Sequence, residues 1–407
     1  MNNSNTQLNS FHLLMLWFGA SISIAEILTG GILAPMGFKT AFICIIIGHI
    51  IGTGILVLGG YIGAESKLPS ILSTRISFGL YGSYLFSILN VLQLIGWTAV
   101  MIISGARSVN EITKIIWSFD HLSFWSIVIG GFICLWIFFG ITGFKKLNVI
   151  AVSLLFLLTI VLSTVIFKSP NLFKAGTMDS LSIGGAIELS VVMPLSWLPL
   201  IADYTRFSKK TTSGLFGSFT GYFIGSCWMY TIGLAGAIVS GNPDPGAMML
   251  AANLGIFALG IIVLSTITTT FMDAYSAGVT LLNIFPKLDE KKVALSMAII
   301  GMVLAVVIPI EQYENFLYAI GSVFAPLFAV FITDYLVYKN KKLNDELLVN
   351  WGSFIVWGIG VFLYYQFIKI DFILGATVPV MCITSFLFII TKGVCKSWKL
   401  TRKSHVA

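Results

Sequence analysis

The chain has 407 residues, of which 57% are hydrophobic and only 10% charged, and its mean hydropathy is +0.95. Soluble domains carry about 25% charged residues, so this composition excludes a soluble enzyme or binding module and indicates one polytopic membrane bundle. A net charge of +7 would suit a nucleic-acid partner, but topology accounts for the positive residues better, and no nucleic-acid contact is expected.

The amino terminus, MNNSNTQLNSFH, has no basic residue ahead of the first apolar run. That run is too long for a secretory signal and lacks its cleavage pattern, so the segment is expected to be retained. Apolar runs near the spanning length of about 20 residues then follow at 13–34, 38–63, 82–105, 122–143, 147–167, 181–203, 213–240, 254–285, 293–310, 315–338, 350–368 and 372–391. With the amino terminus in the cytoplasm, eighteen Lys and Arg fall on the inner side and six on the outer. This positive-inside bias predicts a multi-pass protein of the cell membrane with an even span count and both termini cytoplasmic. The basic end, 392–407, then reads as an inner-face anchor on membrane lipid. Five cysteines are scattered singly without metal-type spacing and read as small packing residues.

Inside the first run, SISIAEILTGGILAP places Glu26 at membrane depth, followed by Gly30, Gly31 and Pro35. A carboxylate there costs at least about 3 kcal/mol on insertion scales, and survives by facing a cavity, a partner or the protein interior. The sixth run, VVMPLSWLPLIADYTRF, carries Pro194 and Pro199. Two interrupted spans five apart point to inverted repeats with a substrate site at the breaks. The spacing recurs: Glu26 precedes Trp197 by 171 residues, and Trp97 on the third span precedes Asp273 on the eighth by 176. Residues 1–167 and 181–338 are therefore expected to be the two repeats of a single transporter domain, with 350–391 appended.

Four other acids lie within spans: Glu188, Asp203, Asp273 and Asp334. Asp203 and Asp334 read as satisfied acids at helix ends; Asp273 is deep enough to serve a site. The eighth span also holds Ser265, Thr266, Thr268, Thr269, Thr270, Ser276 and Thr280. Such hydroxyls can be helix-to-helix glue. Alternatively, the Ser265 carbonyl and the Thr268 and Thr269 hydroxyls share one face. With backbone carbonyls freed near Ile22 and Ala25, they would make an oxygen-only site for sodium. Trp97 and Trp197 stand mid-span, away from the interfacial belts that most membrane tryptophans join. They either pack in the core or stack on a flat heteroaromatic ligand. His49, in the second span, reads as a packed, hydrogen-bonded residue. A channel would want a charged ring or a carbonyl filter, and an enzyme a nucleophile–base pair or metal cluster; neither pattern occurs.

The stretch STRISFGLYGS, Ser73 to Ser83, resembles the Arg-x-x-Phe-Gly-x-x-Gly-Ser signature of the nucleobase:cation symporters. WFGASISIAEILTGG, GWTAVM, DYTRF and TTTFMDAYSAG resemble the same family in the same order, so the likeness spans most of the chain. The glutamate in span one and the short length are closest to the CytX-type branch, assigned as hydroxymethylpyrimidine permeases of thiamine salvage. The resemblance implies an all-α fold of about twelve helices, five plus five as in the leucine transporter, with helices 1 and 6 broken and alternating access. It implies that Trp97 and Trp197 stack on an aminopyrimidine, and that Glu26, Met101, Ser196 and Asp273 line its edge. It further implies that Ser265, Thr268 and Thr269, with Ile22 and Ala25, hold a coupling sodium, a proton being the other candidate. Met101 departs from the family's glutamine, and Thr270 to Asp273 replace an asparagine-rich run. The expected protein is a monomeric symporter importing hydroxymethylpyrimidine ahead of cytosine, with no enzymatic activity. The alternative is an amino-acid or amine permease of the same fold.

Overall fold

The computed structural model describes residues 7–139, 141–173, 181–307, 313–343 and 346–404; side chains at 139, 141–149, 151, 256–259, 261, 265, 268, 269, 290 and 394–404 lie outside that description. The chain forms α1 (Ser10–Ser21), α2 (Ile24–Ile32), α3 (Phe38–Ser66), α4 (Ser70–Ser73), α5 (Arg75–Phe78), α6 (Leu80–Trp117), α7 (Leu122–Phe139), α8 (Ile141–Ile166) and α9 (Ile183–Leu195). It continues with α10 (Leu198–Thr205), α11 (Thr211–Ser240), α12 (Pro245–Ala251), α13 (Gly255–Leu281), α14 (Glu290–Val307), α15 (Tyr313–Leu336), α16 (Trp351–Ile370) and α17 (Thr377–Ser404). Each of the twelve predicted runs coincides with a helix or, for the first and sixth, a helix pair. Among the described residues, five helices and the α9–α10 unit, with the α1–α2 pair as a seventh, are long and apolar enough to cross a membrane. Helix α17 runs to Ser404, beyond the predicted end at 391, because nothing after Gly393 breaks a helix.

The first break lies earlier than the glycines suggested. Helix α1 stops at Ser21, Ser23 caps α2 by accepting from the Glu26 N–H at 3.4 Å, and the two halves bend by 58°. Gly30 and Gly31 sit inside α2, and Pro35 begins a one-turn 3-10 helix beyond it. The glycines serve close approach instead: a Cβ on Gly30 would lie 2.2 Å from the Tyr230 carbonyl oxygen of α11. The second break is where it was expected, at Ser196–Trp197 between α9, with Pro194 in its last turn, and α10, with Pro199 near its start.

Glycines set the packing around both breaks. On α11, a Cβ at Gly217, Gly221 or Gly233 would meet the carbonyl oxygens of Ser10, Leu14 and Ile27 at 2.2, 2.2 and 1.9 Å, so α1 and α2 lie backbone to backbone on it. On α3, Gly48, Gly52, Gly59 and Gly63 admit α9 and α10 in the same way. In a bilayer, where lipid is as apolar as leucine, such small-residue stripes are how helices gain close contact. A second layer packs α6 against α13 and α14, and α14 against α7.

The signature segment ties these layers at the face bearing the basic loops. Arg75 donates to the Asn283 side-chain oxygen at 2.5 Å, to its carbonyl at 3.1 Å and to Ser83 at 3.2 Å. The Ser70 N–H donates to Asp203 at 3.1 Å, and Ser77 donates to Asp334 at 2.8 Å. Asp334 also pairs with Lys392 and Asn340. Gly79, at φ +81°, takes a left-handed conformation that a side chain would strain. Arg75→Ala is expected to cost roughly 1–2 kcal/mol, and Asn283→Ala to add less on top than it costs alone, since the two share one contact while Asn283 also donates to Ser83 and Ser87. Thermal melts of the single and double variants in detergent check this; additive losses would separate the two residues.

Candidate functional site

All six residues expected at the ligand, Glu26, Trp97, Met101, Ser196, Trp197 and Asp273, line one cavity between the two breaks, together with Ala20, Ser23, Ala25, Leu94, Met193 and Leu200. Trp97 comes from the middle of α6 and is held edge-on by Tyr313 and Phe316, at ring-centroid distances of 6.1 and 5.5 Å. Trp197 occupies the second break, with buried Trp17 edge-on to it at 5.9 Å. The cavity volume is about 20 Å³, room for a water molecule, so a ring enters only if the lining parts. A wider recess of about 200 Å³, lined by Leu28, Arg107, Asp244 and Tyr313 among others, lies on the side of α2's end. Tyr313 lines this recess, packs edge-on against Trp97 of the cavity and shares a hydrogen bond of 2.8 Å with Thr29 of α2.

Glu26 answers to more than the cavity. It is 1% exposed and sits in the first turn of α2, where the N-terminal dipole favours negative charge. From α11, Tyr222 donates to Oε1 at 2.9 Å, and Ser226 Oγ lies 2.6 Å from Oε2. Ser226 Oγ also lies 2.6 Å from His49 Nε2, while His49 Nδ1 is 2.8 Å from the Ile45 carbonyl oxygen. A carbonyl only accepts, so Nδ1 carries hydrogen, and Ser226 has a single hydrogen for its two neighbours. Either the imidazole is doubly protonated beside an ionised Glu26, or it is neutral and Glu26 carries the proton. In both arrangements the chain holds one proton and no net charge, and among the described residues no Lys or Arg pairs with Glu26. Tyr222, Ser226 and His49 were not linked to Glu26 from the sequence; only the hydroxyls recurring on one face of span seven hinted at them.

The polar groups at the second break are also engaged. Ser196 Oγ donates to the Met193 carbonyl at 2.7 Å, and Gln93 Nε2 donates to the Ser196 carbonyl at 2.9 Å. Gln93, one turn before Trp97, thus caps a carbonyl freed by the break; a glutamine deep in an apolar run was its signal. Glu188 lies apart from the cavity, held by Tyr364 at 2.5 Å and by the Thr377 hydroxyl and N–H at 2.6 and 2.8 Å.

Of the expected sodium ligands, the Ile22 carbonyl lies in the unwound stretch and accepts no hydrogen bond among the described residues, which fits a cation. The Ala25 carbonyl lies within α2 and already accepts from the Thr29 hydroxyl at 2.7 Å. The side chains of Ser265, Thr268 and Thr269 lie outside the described residues, although their backbone belongs to α13. Among the described residues no group of three His, Cys, Asp or Glu could hold a metal ion. The four described cysteines are free.

The cytosine permease of Escherichia coli strain K12 is 27% identical over 355 residues, covering 84% of this chain and 82% of the relative. The hydantoin permease of Microbacterium maritypicum is 18% identical over 376 residues, covering 85% and 77%. Among solved structures, Mhp1 in an inward-facing conformation overlays with a TM-score of 0.80 at 19% identity, covering 98% of this chain and 94% of the other. A closed Mhp1, a nucleobase-cation-symport-1 family transporter with bromovinylhydantoin bound, overlays equally well, covering 96% and 94%. A family described as permeases for cytosine/purines, uracil, thiamine and allantoin matches residues 2–400. The chain is thus a multi-pass membrane protein with the leucine-transporter-like fold, and it belongs to this family of cytosine and purine permeases.

Proposed function

We propose that the chain is a secondary symporter that imports an aminopyrimidine, hydroxymethylpyrimidine ahead of cytosine, by alternating access. It works as a monomer in the cell membrane with both termini cytoplasmic, and residues 1–167 and 181–338 act as its inverted repeats. The observation that carries this reading is the convergence of Trp97 and Trp197, one at a helix break, on a cavity whose edge is carboxylic. Indoles offer flat faces to a heteroaromatic ring, and carboxyl oxygens accept from its amine. The coupling ion is sodium, for which the open Ile22 carbonyl and the hydroxyls of Ser265, Thr268 and Thr269 are the proposed ligands, or a proton.

Binding of hydroxymethylpyrimidine and cytosine to purified protein, followed by tryptophan fluorescence in sodium and then choline across about pH 5.5 to 8, tests the reading. Quenching by one pyrimidine that strengthens in sodium is expected. Absence of a response from folded protein would reject the stacked-pyrimidine site. A second reading, an amine permease of the same fold, draws on the same two carboxyls beside two indoles, since a cation also sits well on ring faces. Competition by amino acids where cytosine fails would favour it.

A further inference from the structure

The two acids of the central cavity are not equivalent. Both Glu26 oxygens are engaged by α11, through Tyr222 and Ser226. Asp273, on α13, is 5% exposed and lines the cavity, yet no hydrogen-bond donor or cation reaches it among the described residues. The lining hydroxyl oxygens are already engaged: Ser23 accepts from the Glu26 N–H, and Ser196 donates to the Met193 carbonyl. No Lys, Arg or His lines the cavity. A ring entering between Trp97 and Trp197 therefore meets one lining side chain whose oxygens make no hydrogen bond among the described residues, and it is a carboxyl.

We infer that Asp273, rather than Glu26, reads the ligand's edge by accepting a hydrogen bond from an exocyclic amine. The inference rests on the aminopyrimidine reading and deepens it, because it names the feature selected: an amine where a competing ring carries a carbonyl. A buried carboxyl without partners is most unfavourable when left bare, and an N–H donor in the ring plane relieves it. Against the ionised carboxyl a ring oxygen in the same place would face lone pairs only, and that repulsion adds to the discrimination. Glu26 then acts as a positioning residue, tying α2 to α11 through Tyr222 and Ser226.

The test is equilibrium binding by calorimetry to the full-length protein in detergent, with 4-amino-5-hydroxymethyl-2-methylpyrimidine and its 4-oxo counterpart as the two probes. The protein is expected to prefer the amine by roughly 100-fold, the size of one hydrogen bond to a charged group. In Asp273→Asn the amide offers both a donor and an acceptor, so the preference should shrink to within a few-fold. Removing this carboxyl leaves no partner unpaired among the described residues, so the variant should fold. Asp273→Ser, judged by the same ratio, serves if it does not.

Preference retained in Asp273→Asn and Asp273→Ser would overturn the assignment, as would a preference erased by Glu26→Gln alone. A wild-type protein that binds both probes while the Asp273 variants keep its ratio would leave the stacked-pyrimidine reading standing without this inference. Wild-type protein that binds neither probe would remove both.

Discussion

Alanine in place of Trp97 or Trp197 is expected to weaken an aminopyrimidine by roughly 5- to 150-fold each, the range for losing one aromatic face under a stacked base. The two losses should fall on amino and oxo rings alike, because every such ring has a face. The arrangement gives the two residues different secondary effects. Trp97 leans on Tyr313 and Phe316 of α15, so its removal should also loosen the contact between α6 and α15. Trp197 leans on buried Trp17 of α1, and its loss should be felt at the first break. Calorimetry or radiolabelled uptake suits this test better than fluorescence, since the variants remove the reporter. Full affinity in both variants would mean that the indoles only pack.

The second large effect concerns folding. Gly233→Leu is expected to yield no monodisperse protein, because its Cβ alone would lie 1.9 Å from the Ile27 carbonyl oxygen and 3.0 Å from the Gly31 nitrogen. Overpacking of a core typically costs about 1–3 kcal/mol; a clash of backbone with backbone has no side chain to rotate away and should exceed that. Gly54→Ala is the control, since nothing lies within 4 Å of its Cβ and alanine favours a helix by about 1 kcal/mol. Size-exclusion profiles and melting curves of the two variants give the answer. A stable Gly233→Leu protein would show that α2 and α11 can separate without losing the fold.

Much of this architecture was legible in the sequence because a bilayer imposes its thickness on every span. Apolar length, loop charge and paired interruptions are one-dimensional signals. The position of the first break was read in part: freed carbonyls were expected near Ile22, where the helix does break, but not by way of its start signal. Ser23-x-x-Glu26 has the form of a capping box, a start signal for a half-helix, whereas Gly30 and Gly31 attracted notice as breakers and in fact make room for α11. The partners of Glu26 were beyond reach for another reason. Tyr222 and Ser226 lie 196 and 200 residues away along the chain, and no local pattern encodes which helix a buried acid will face. Gln93 belongs to the same class, since its value depends on the Ser196 carbonyl freed on another span.

The backbone contacts of α11 bear on how such a molecule can move. Leu14, before the bend, and Ile27, after it, each press a carbonyl onto a glycine of the same unbroken helix. A splint fastened on both sides of a fracture holds its angle, so the 58° bend is an elbow braced by α11. Trp197 rides with the splinted part through α3, which packs against α9, α10 and α11; Trp97 rides with α6, α13 and α14. A ring clasped between the two indoles would be mortar between these two groups of helices, touching both at once.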